Sequence, residues 1–148
     1  IVTRQGGYIK VVYFGQKDGQ QLAVIKRMVR DLNMDIEIVG CPIIREEDGL
    51  AKSSRNTYLS SEERKAALIL SKTVALGKEL AKTEKDANKV VEAMKKNIET
   101  EPLAKIDYVE AVDALSMAPV EKLEGTCMLA MAVYIGKTRL IDNTLINE

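Results

Sequence analysis

A strand–helix–strand pattern near the amino terminus most limits how this chain can fold. Residues 11–14 form a continuous apolar run that ends at Gly15, which is typical of a buried parallel strand. The next segment, DGQQLAVIKRMVRDL, carries apolar residues on one helical face, namely Leu22, Ile25, Val29 and Leu32. DIEIVG then alternates as a strand does. Because the pattern occupies about thirty residues, it predicts a right-handed βαβ unit that ends an open α/β sheet.

The second half of the chain predicts a small α+β lobe. Ser60, with Glu63 three residues later, fits a capping box that opens a helix running to about residue 81. A second helical pattern follows over residues 87–98 and ends before Pro102. KIDYVEAV then predicts a strand, and CMLAMAVYIGKTRLIDN predicts a hairpin that turns at Gly136-Lys137. Residues 1–10 show no clear period, so we expect no regular element there.

The composition allows a buried core but favours neither a polyanionic nor a membrane partner. The chain has 148 residues with 46% hydrophobic content, enough for one domain or two small lobes. Basic and acidic residues balance at 22 each and 4% of residues are aromatic, so a nucleic-acid surface is not predicted. Because the chain lacks a run of about 18 apolar residues and a basic-then-apolar leader, we expect no membrane span or secretory signal.

The sequence contains no histidine. Catalytic triads with a histidine base and most catalytic zinc sites are therefore excluded within this chain, and we predict no metal-ligating set. Cys41 and Cys127 lie far apart without a CxxC pattern. This spacing favours two reduced, buried thiols over a disulfide. Because reduced thiols are typical of the cytoplasm, we expect a cytoplasmic protein.

The first candidate site is a polar cluster from Gly15 to Gln21, between the first predicted strand and its helix. Open α/β sheets bind ligands at this end of their strands, and exposed helix N–H groups favour an anion. Lys17 adds a mobile positive charge that suits a phosphate. The alternative interpretation is structural. Asp18 and Gln21 fit a capping box that needs no ligand, and spacing alone favours that interpretation because caps are common.

The second candidate site is the polar stretch that contains Ser53, Ser54 and Arg55. Hydroxyl groups and a planar guanidinium after a glycine suit a polyphosphate, since arginine can bind two oxygens at once. Polar loops of this composition are also common solvated linkers, and this cluster taken alone favours a linker. A third candidate, Gly136-Lys137-Thr138, imitates the end of a P-loop. That motif needs a glycine at position 131, where the chain has methionine, so the hairpin interpretation prevails.

Two long segments resemble the pantothenate synthetase (pantoate–β-alanine ligase) family. YFGQKDGQQLAVIKRMVRDL matches the family pattern YFGxKDxQQLxVIxRMVxDL, and VGCPIIREEDGLAKSSRNTYLSSEER matches VGxPxxRExDGLAxSSRNxYLSxxER. The resemblance covers about Val11 to Asn143, including KIDYVE and AVYIGKTRLIDN, and leaves out residues 1–10. It implies the end of a Rossmann-like nucleotidyl-transferase domain over residues 1–44, similar to class I aminoacyl-tRNA synthetases. A hinge with the SSRN loop would occupy residues 45–60 and a carboxy-terminal lid domain residues 61–148.

The resemblance also implies a reaction. Pantoate and ATP would form pantoyl adenylate and pyrophosphate, and β-alanine would then displace AMP to give pantothenate. ATP would bring Mg²⁺ as the counterion of its phosphates. The SSRN stretch would take the place of the mobile KMSKS loop of the tRNA synthetases and close over the phosphates.

Residue roles follow from the same resemblance. Lys17 matches a lysine that contacts ATP phosphates, Gly15 and Asp18 match positions at the ATP ribose, and Gln21 matches a glutamine that hydrogen-bonds pantoate. That role is compatible with capping only if the Gln21 side chain turns outward. Other positions match residues that bind ATP in the family. Ser53, Ser54 and Arg55 match residues that contact the phosphates, and Ile44 matches a residue that lines the adenine pocket through its backbone. Lys17, Ser53, Ser54 and Arg55 are the residues we expect to be catalytic.

The chain departs from the family pattern in three ways. Lys52 stands where methionine is usual, and it either adds a cation beside the phosphates or points into solvent. Gly19 replaces a bulkier residue and loosens the helix start. The family's other half is missing from the match, and that half supplies a histidine pair, another pantoate-binding glutamine and most of the parallel sheet. We therefore expect a carboxy-terminal portion of the enzyme.

This expectation has consequences for activity and assembly. A chain with half a site would be inactive alone, because losing one transition-state contact typically costs about 10²–10³ in rate. An exposed sheet edge and helix faces predict self-association, which we expect to give a homodimer. The alternative hypothesis is a lid-like module that binds a nucleotide or a partner and performs no chemistry.

Overall fold

The computed structural model describes residues 2–5 and 8–147, which fall into two compact units that meet in sequence between Ile43 and Ile44. The first unit ends one residue before the predicted boundary at 44. Residues 45–60, which the sequence separates as a hinge, group with the second unit. None of the helices within the described segments is long and apolar enough to cross a membrane.

The first unit contains the predicted βαβ arrangement. Its elements are β1 (Val2–Gln5), β2 (Tyr8–Gly15), α1 (Gly19–Asp31) and β3 (Glu37–Cys41). The sheet has the order β1-β2-β3, and β2 and β3 are parallel with Gly15 opposite Cys41 at their carboxyl ends. A parallel pair needs a crossover, and α1 provides it. The prediction of a strand, helix and parallel strand is confirmed.

Two expectations for the first unit were wrong. Residues 1–10 were predicted to lack a regular element, yet β1 pairs antiparallel with β2 and β2 begins at Tyr8. Residues 1, 6 and 7 of this stretch lie outside the described residues. The run from Val11 to Phe14 was predicted to be buried but is half-buried. In the described part of this unit, one helix of 13 residues, α1, packs on the sheet.

The second unit has helices followed by an antiparallel sheet, as predicted. Its elements are a 3₁₀ helix (Ser54–Tyr58), α2 (Ser61–Ala66), α3 (Leu68–Leu80), α4 (Ala87–Glu99), β4 (Ala104–Asp113), β5 (Cys127–Ile135) and β6 (Thr138–Ile146). The predicted capping box at Ser60 and Glu63 is present. The single helix expected over residues 60–81 is wrong, because it divides into α2 and α3 at Ala67. The hairpin turns at Gly136, whose φ is 59°.

The main core lies where α3 and α4 pack on one face of the β4-β5-β6 sheet. Every second residue of β5 faces the helices, and apolar residues at helical spacing on α3 and α4 pack against them. The side chains that become almost fully buried include Leu70, Val90, Met94, Ile98, Leu129, Met131, Val133 and Ile135. Both cysteines are free thiols, Cys127 in this core and Cys41 half-buried, so the prediction of two buried thiols holds for Cys127 alone.

Gly77 of α3 tests how closely these layers pack. An added Cβ would lie 2.6 Å from Met94 Sδ and 2.9 Å from Leu129 Cδ1. We expect Gly77→Ala to lower the free energy of unfolding by about 1–2 kcal/mol, because an overpacking cost of about 1–3 kcal/mol exceeds the helix propensity that alanine gains, about 1 kcal/mol. Denaturant unfolding measures the change.

Gly15→Ala is the matched control, since its Cβ would enter open space at a backbone conformation that any residue adopts. It should leave the midpoint unchanged. Equal midpoints for the two variants would show that α3, α4 and β5 are not in tight contact at Gly77.

Candidate functional site

The first polar cluster lies at the carboxyl ends of the two parallel strands. Gly15 closes β2, and the backbone N–H of Gln16 donates to Cys41 O at 2.8 Å, which ties the turn to the end of β3. Lys17 follows in the same turn and is half-buried. The strands therefore bring Gly15, Lys17 and the first turn of α1 to one edge of the sheet, the edge where α/β sheets bind ligands.

The start of α1 separates the capping role from the exposed side chains. Asp18 is the N-cap residue, and its Oδ1 accepts from the Gln21 backbone N–H at 3.1 Å. Within the described part of the chain, the Gln21 side chain makes no reciprocal bond to Asp18, so only half of the predicted capping box is formed. Gln21 is exposed. Its carboxamide is thus available to a ligand while its backbone satisfies the cap.

The glycines near this cluster differ in what the fold requires of them. An added Cβ at Gly40 would lie 2.9 Å from Leu22 Cδ2, so the end of that side chain would have to shift. At Gly15 the same atom would meet nothing within 4 Å. Close approach of a ligand to the backbone is a common reason for a glycine that packing does not require.

The second polar cluster is a folded turn and not a loose linker. Glu46 N donates to Leu50 O at 2.9 Å and Lys52 N to Ile44 O at 2.9 Å, so the two limbs of the turn pair with each other. Gly49, with φ of 93°, lies at its bend. The Ile44 side chain is 72% exposed, which is unusual for an isoleucine and leaves apolar surface beside the turn.

The segment with the two serines continues this turn as a short 3₁₀ helix. Ser53 caps it, because its Oγ accepts from Arg55 N at 3.2 Å, and Thr57 Oγ1 donates to Ser54 O at 2.7 Å. Arg55 Nη1 donates to Arg139 O of β6 at 3.2 Å. Lys52, Ser54 and Arg55 are exposed. The structure therefore places the predicted hydroxyl and cationic groups side by side on the surface of the second unit.

An ion pair between the buried Asp142 and the partly exposed Arg45 holds the base of this turn. Arg45 Nη1 lies 2.7 Å from Asp142 Oδ2 and Arg45 Nη2 lies 2.9 Å from Asp142 Oδ1, a bidentate pair. The Asp142 side chain has no exposed surface. Its hydrogen bonds raise the pKa of Arg45 above the usual arginine value, against the opposing effect of partial burial.

A polar cleft of about 550 Å³ opens beside the turn. Its lining combines three acidic and three basic side chains, Arg45, Glu46, Glu47, Asp48, Lys52 and Arg64. Within it, Arg64 Nη2 contacts Asp48 Oδ2 at 2.7 Å and Glu46 Oε2 at 3.3 Å. Because its formal charges cancel, the cleft itself does not favour an anion. Of the predicted site residues it includes Lys52.

The predicted residues thus form two groups, one in each unit. Gly15, Lys17, Asp18 and Gln21 lie together in the first, and Ile44, Lys52, Ser53, Ser54 and Arg55 lie together in the second. Sequence reasoning missed Arg45 and Asp142, which are 97 residues apart. The available signal was Asp142 itself, an acidic residue at a core-facing position of a predicted strand. Across residues 2–5 and 8–147, groups of three or more acidic, cysteine or histidine side chains that could hold a metal are absent.

The family model and the curated relatives that match this chain point to the same family. Residues 8–145 match the family model described as Pantoate-beta-alanine ligase. The pantothenate synthetase of Enterococcus faecalis is 67% identical over 132 residues, which is 88% of this chain and 47% of that protein. That of Clostridium acetobutylicum shows the same identity and coverage. The chain therefore spans about half the length of these curated relatives.

Solved structures agree with this family. The crystal structure of pantothenate synthetase from Thermus thermophilus has a TM-score of 0.86 at 38% identity and covers 92% of this chain and 49% of its own. A Francisella tularensis pantoate–β-alanine ligase complexed with β-γ ATP and β-alanine has a TM-score of 0.59 at 28% identity, over 94% of this chain and 44% of its own. Sequence and structure lead to the same conclusion, which is that the chain belongs to the pantoate–β-alanine ligase family.

Proposed function

We propose that this chain supplies the carboxy-terminal part of an ATP-dependent ligase that joins pantoate and β-alanine. One observation carries the proposal: the family match runs from residue 8 to residue 145, a range that includes both polar clusters. In the first step the pantoate carboxylate attacks the α-phosphorus of ATP, which forms pantoyl adenylate and releases pyrophosphate. In the second step the β-alanine amine attacks the acyl carbon, which forms the amide and releases AMP.

In this proposal the first cluster holds ATP and pantoate. Lys17 neutralises phosphate charge at the strand end, where the N-terminus of α1 favours an anion. Gly15 allows the ribose to approach the backbone, and Asp18 lies at the ribose while it caps α1. Gln21 hydrogen-bonds pantoate with its exposed carboxamide. The half-formed capping box supports this assignment, because the backbone N–H of Gln21 completes the cap and leaves the side chain outside it.

The second cluster acts on the phosphates in the same step. Charge grows on pyrophosphate as it departs, and preorganised donors lower the energy of that transition state. Ser53 and Ser54 offer hydroxyl groups and Arg55 a guanidinium held by its bond to Arg139 O. Lys52 adds a nearby exposed cation. The exposed Ile44 lines the adenine pocket, with its backbone carbonyl already fixed by Lys52 N.

Magnesium enters this proposal as the counterion that arrives with ATP. A divalent ion with oxygen ligands is commonly held by substrate phosphates and water, and not by a dedicated protein cage. The donor groups of the chain fit this arrangement, since Lys17 and Arg55 are cations that bind phosphate oxygens and cannot ligate a metal.

We also propose a cytoplasmic homodimer. Free thiols suit a reducing compartment. The helix α1 supports self-association, because Val24, Met28 and Leu32 follow one stripe of its surface and are 58%, 44% and 66% exposed. Burying such a stripe against a second copy would remove apolar surface from water.

Grafting tests the proposed function directly. Residues 8–145 replace the corresponding segment of the Enterococcus faecalis pantothenate synthetase, and pantoate-dependent exchange of pyrophosphate into ATP is measured against the unaltered enzyme. We expect activity within about tenfold of that enzyme, because two-thirds of the matched positions are identical. A folded graft without exchange, together with ATP binding by the chain alone, would favour the non-catalytic module.

Lys17→Ala in that graft tests the phosphate contact. We expect pyrophosphate exchange to fall by about 10²–10³-fold, because the lysine charge is required as phosphate charge develops. Lys26→Ala, an exposed lysine of α1, is the matched control and should retain full activity. Undiminished exchange by Lys17→Ala would show that the lysine role is misassigned.

A pair of variants separates the cap from the pantoate contact. Asp18→Ala should lower the free energy of unfolding by about 1 kcal/mol, since it removes the acceptor for Gln21 N. Gln21→Ala should leave unfolding almost unchanged and raise the KM for pantoate in the graft by about tenfold, the effect of losing one hydrogen bond of about 1.4 kcal/mol. Chemical denaturation and steady-state kinetics give the two readouts. A normal pantoate KM in Gln21→Ala would contradict the assignment.

A further inference from the structure

The carboxylate of Asp142 is buried on β6 among core residues. Its side chain has no exposed surface, and its Oδ1 accepts from Asn143 N at 2.9 Å. The bidentate contacts of Arg45 supply its countercharge. A buried carboxylate without such a partner is unfavourable, so Arg45 is held at one place and in one orientation.

Arg45 transmits this constraint to the turn that it opens. Its Nη1 also donates to Gly49 O at 3.1 Å, across the bend. On the returning limb, Ala51 pairs with Arg45 in an isolated antiparallel bridge, and Lys52 N bonds to Ile44 O. Arg45 therefore fixes the outgoing limb and the bend, while Leu50, buried in the core, anchors the returning limb that leads to Ser53.

A second set of contacts continues the same path into the 3₁₀ helix. Asn56 Nδ2 donates to Glu46 Oε1 at 2.8 Å and to Ala51 O at 3.2 Å, so the helix is bonded to both limbs of the turn. Arg55 Nη1 bonds to Arg139 O, three residues from Asp142 on β6. The segment that carries Ser53, Ser54 and Arg55 is thus anchored to β6 at its beginning and at its end.

We propose that Arg45 and Asp142 are positioning residues. The ion pair of Arg45 with Asp142 of β6 holds the phosphate-binding donors of Ser53–Arg55 in position. The inference rests on the proposed function. Neither residue touches substrate in this account. Their effect is geometric: donors aimed at a developing charge lose most of their value when they are displaced by about 1 Å.

The test uses three variants of the graft. Arg45→Lys keeps the charge but loses the bidentate geometry. Arg45→Met/Asp142→Leu removes both charges from the site, so that folding does not leave one of them unpaired. Arg27→Lys is the matched control, since Arg27 pairs with Asp31 on the exposed surface of α1. Thermal unfolding, kcat and KM for ATP in pyrophosphate exchange, and hydrogen exchange at the Lys52 amide are measured for each.

We expect Arg45→Lys to lower kcat by about 100-fold with little change in the KM for ATP, and to speed exchange of the Lys52 amide. The double variant should recover the Tm of the parent and still lack normal kcat. Arg27→Lys should match the parent in every readout. Normal kcat in the double variant, or a Tm loss in Arg45→Lys without loss of kcat, would reduce the pair to a structural role and overturn the proposal.

The two proposals fail in different ways. If the parent graft shows no pantoate-dependent exchange, the proposed function is wrong. Hydrogen exchange at Lys52 in the 148-residue chain then still reports whether Arg45 fixes the turn. If the parent graft is active and Arg45→Lys leaves hydrogen exchange at the Lys52 amide unchanged, the positioning role alone is overturned.

Discussion

The polar turn of the second unit is tied to the core by the ion pair of one buried carboxylate. Asp142 faces the core side of β6 with no exposed side-chain surface, and removing its partner from such a pair costs about 3–5 kcal/mol. Arg45 supplies the partner from the start of the polar turn, 97 residues earlier. The core therefore holds this surface segment in two ways, through the Arg45 ion pair and through Leu50, whose side chain is buried in the core. Polar residues that would otherwise form a solvated linker become a defined turn and a 3₁₀ helix.

The fold positions the proposed donors at the ends and edges of strands. In the first unit, the parallel pairing of β2 and β3 places Gly15 opposite Cys41, and the next residues enter the first turn of α1. In the second, β6 supplies Arg139 O for Arg55 as well as Asp142 for Arg45. Both sets of proposed donors thus lie beside rigid strands. Such support matters for electrostatic catalysis, where donors are useful only if they do not reorganise during the reaction.

The sequence predicted most helices and turns, because these elements depend on residues that lie close together along the chain. The spacing of apolar residues predicted α1 and α4, Gly136 the hairpin, and Ser60 with Glu63 the capping box. The break at Ala67 was missed because it does not interrupt the apolar pattern, and the pairing of β1 with β2 was missed because residues 1–10 show no clear period. Of the site, the sequence yielded the polar residues but not the Arg45–Asp142 pair. A contact across 97 residues depends on the folded sheet and leaves no periodic signal.

Several of the proposed site residues have features that packing within the fold does not require. Gly15 has open space where a Cβ would be, Gln21 completes the cap with its backbone alone, and Ile44 exposes an apolar side chain. Gly77 shows the contrast, because an added Cβ there would lie 2.6 Å from Met94 Sδ and 2.9 Å from Leu129 Cδ1 inside the core. A residue type that the fold does not require must be accounted for by something outside the fold. In the proposed function, the nucleotide and pantoate provide that account.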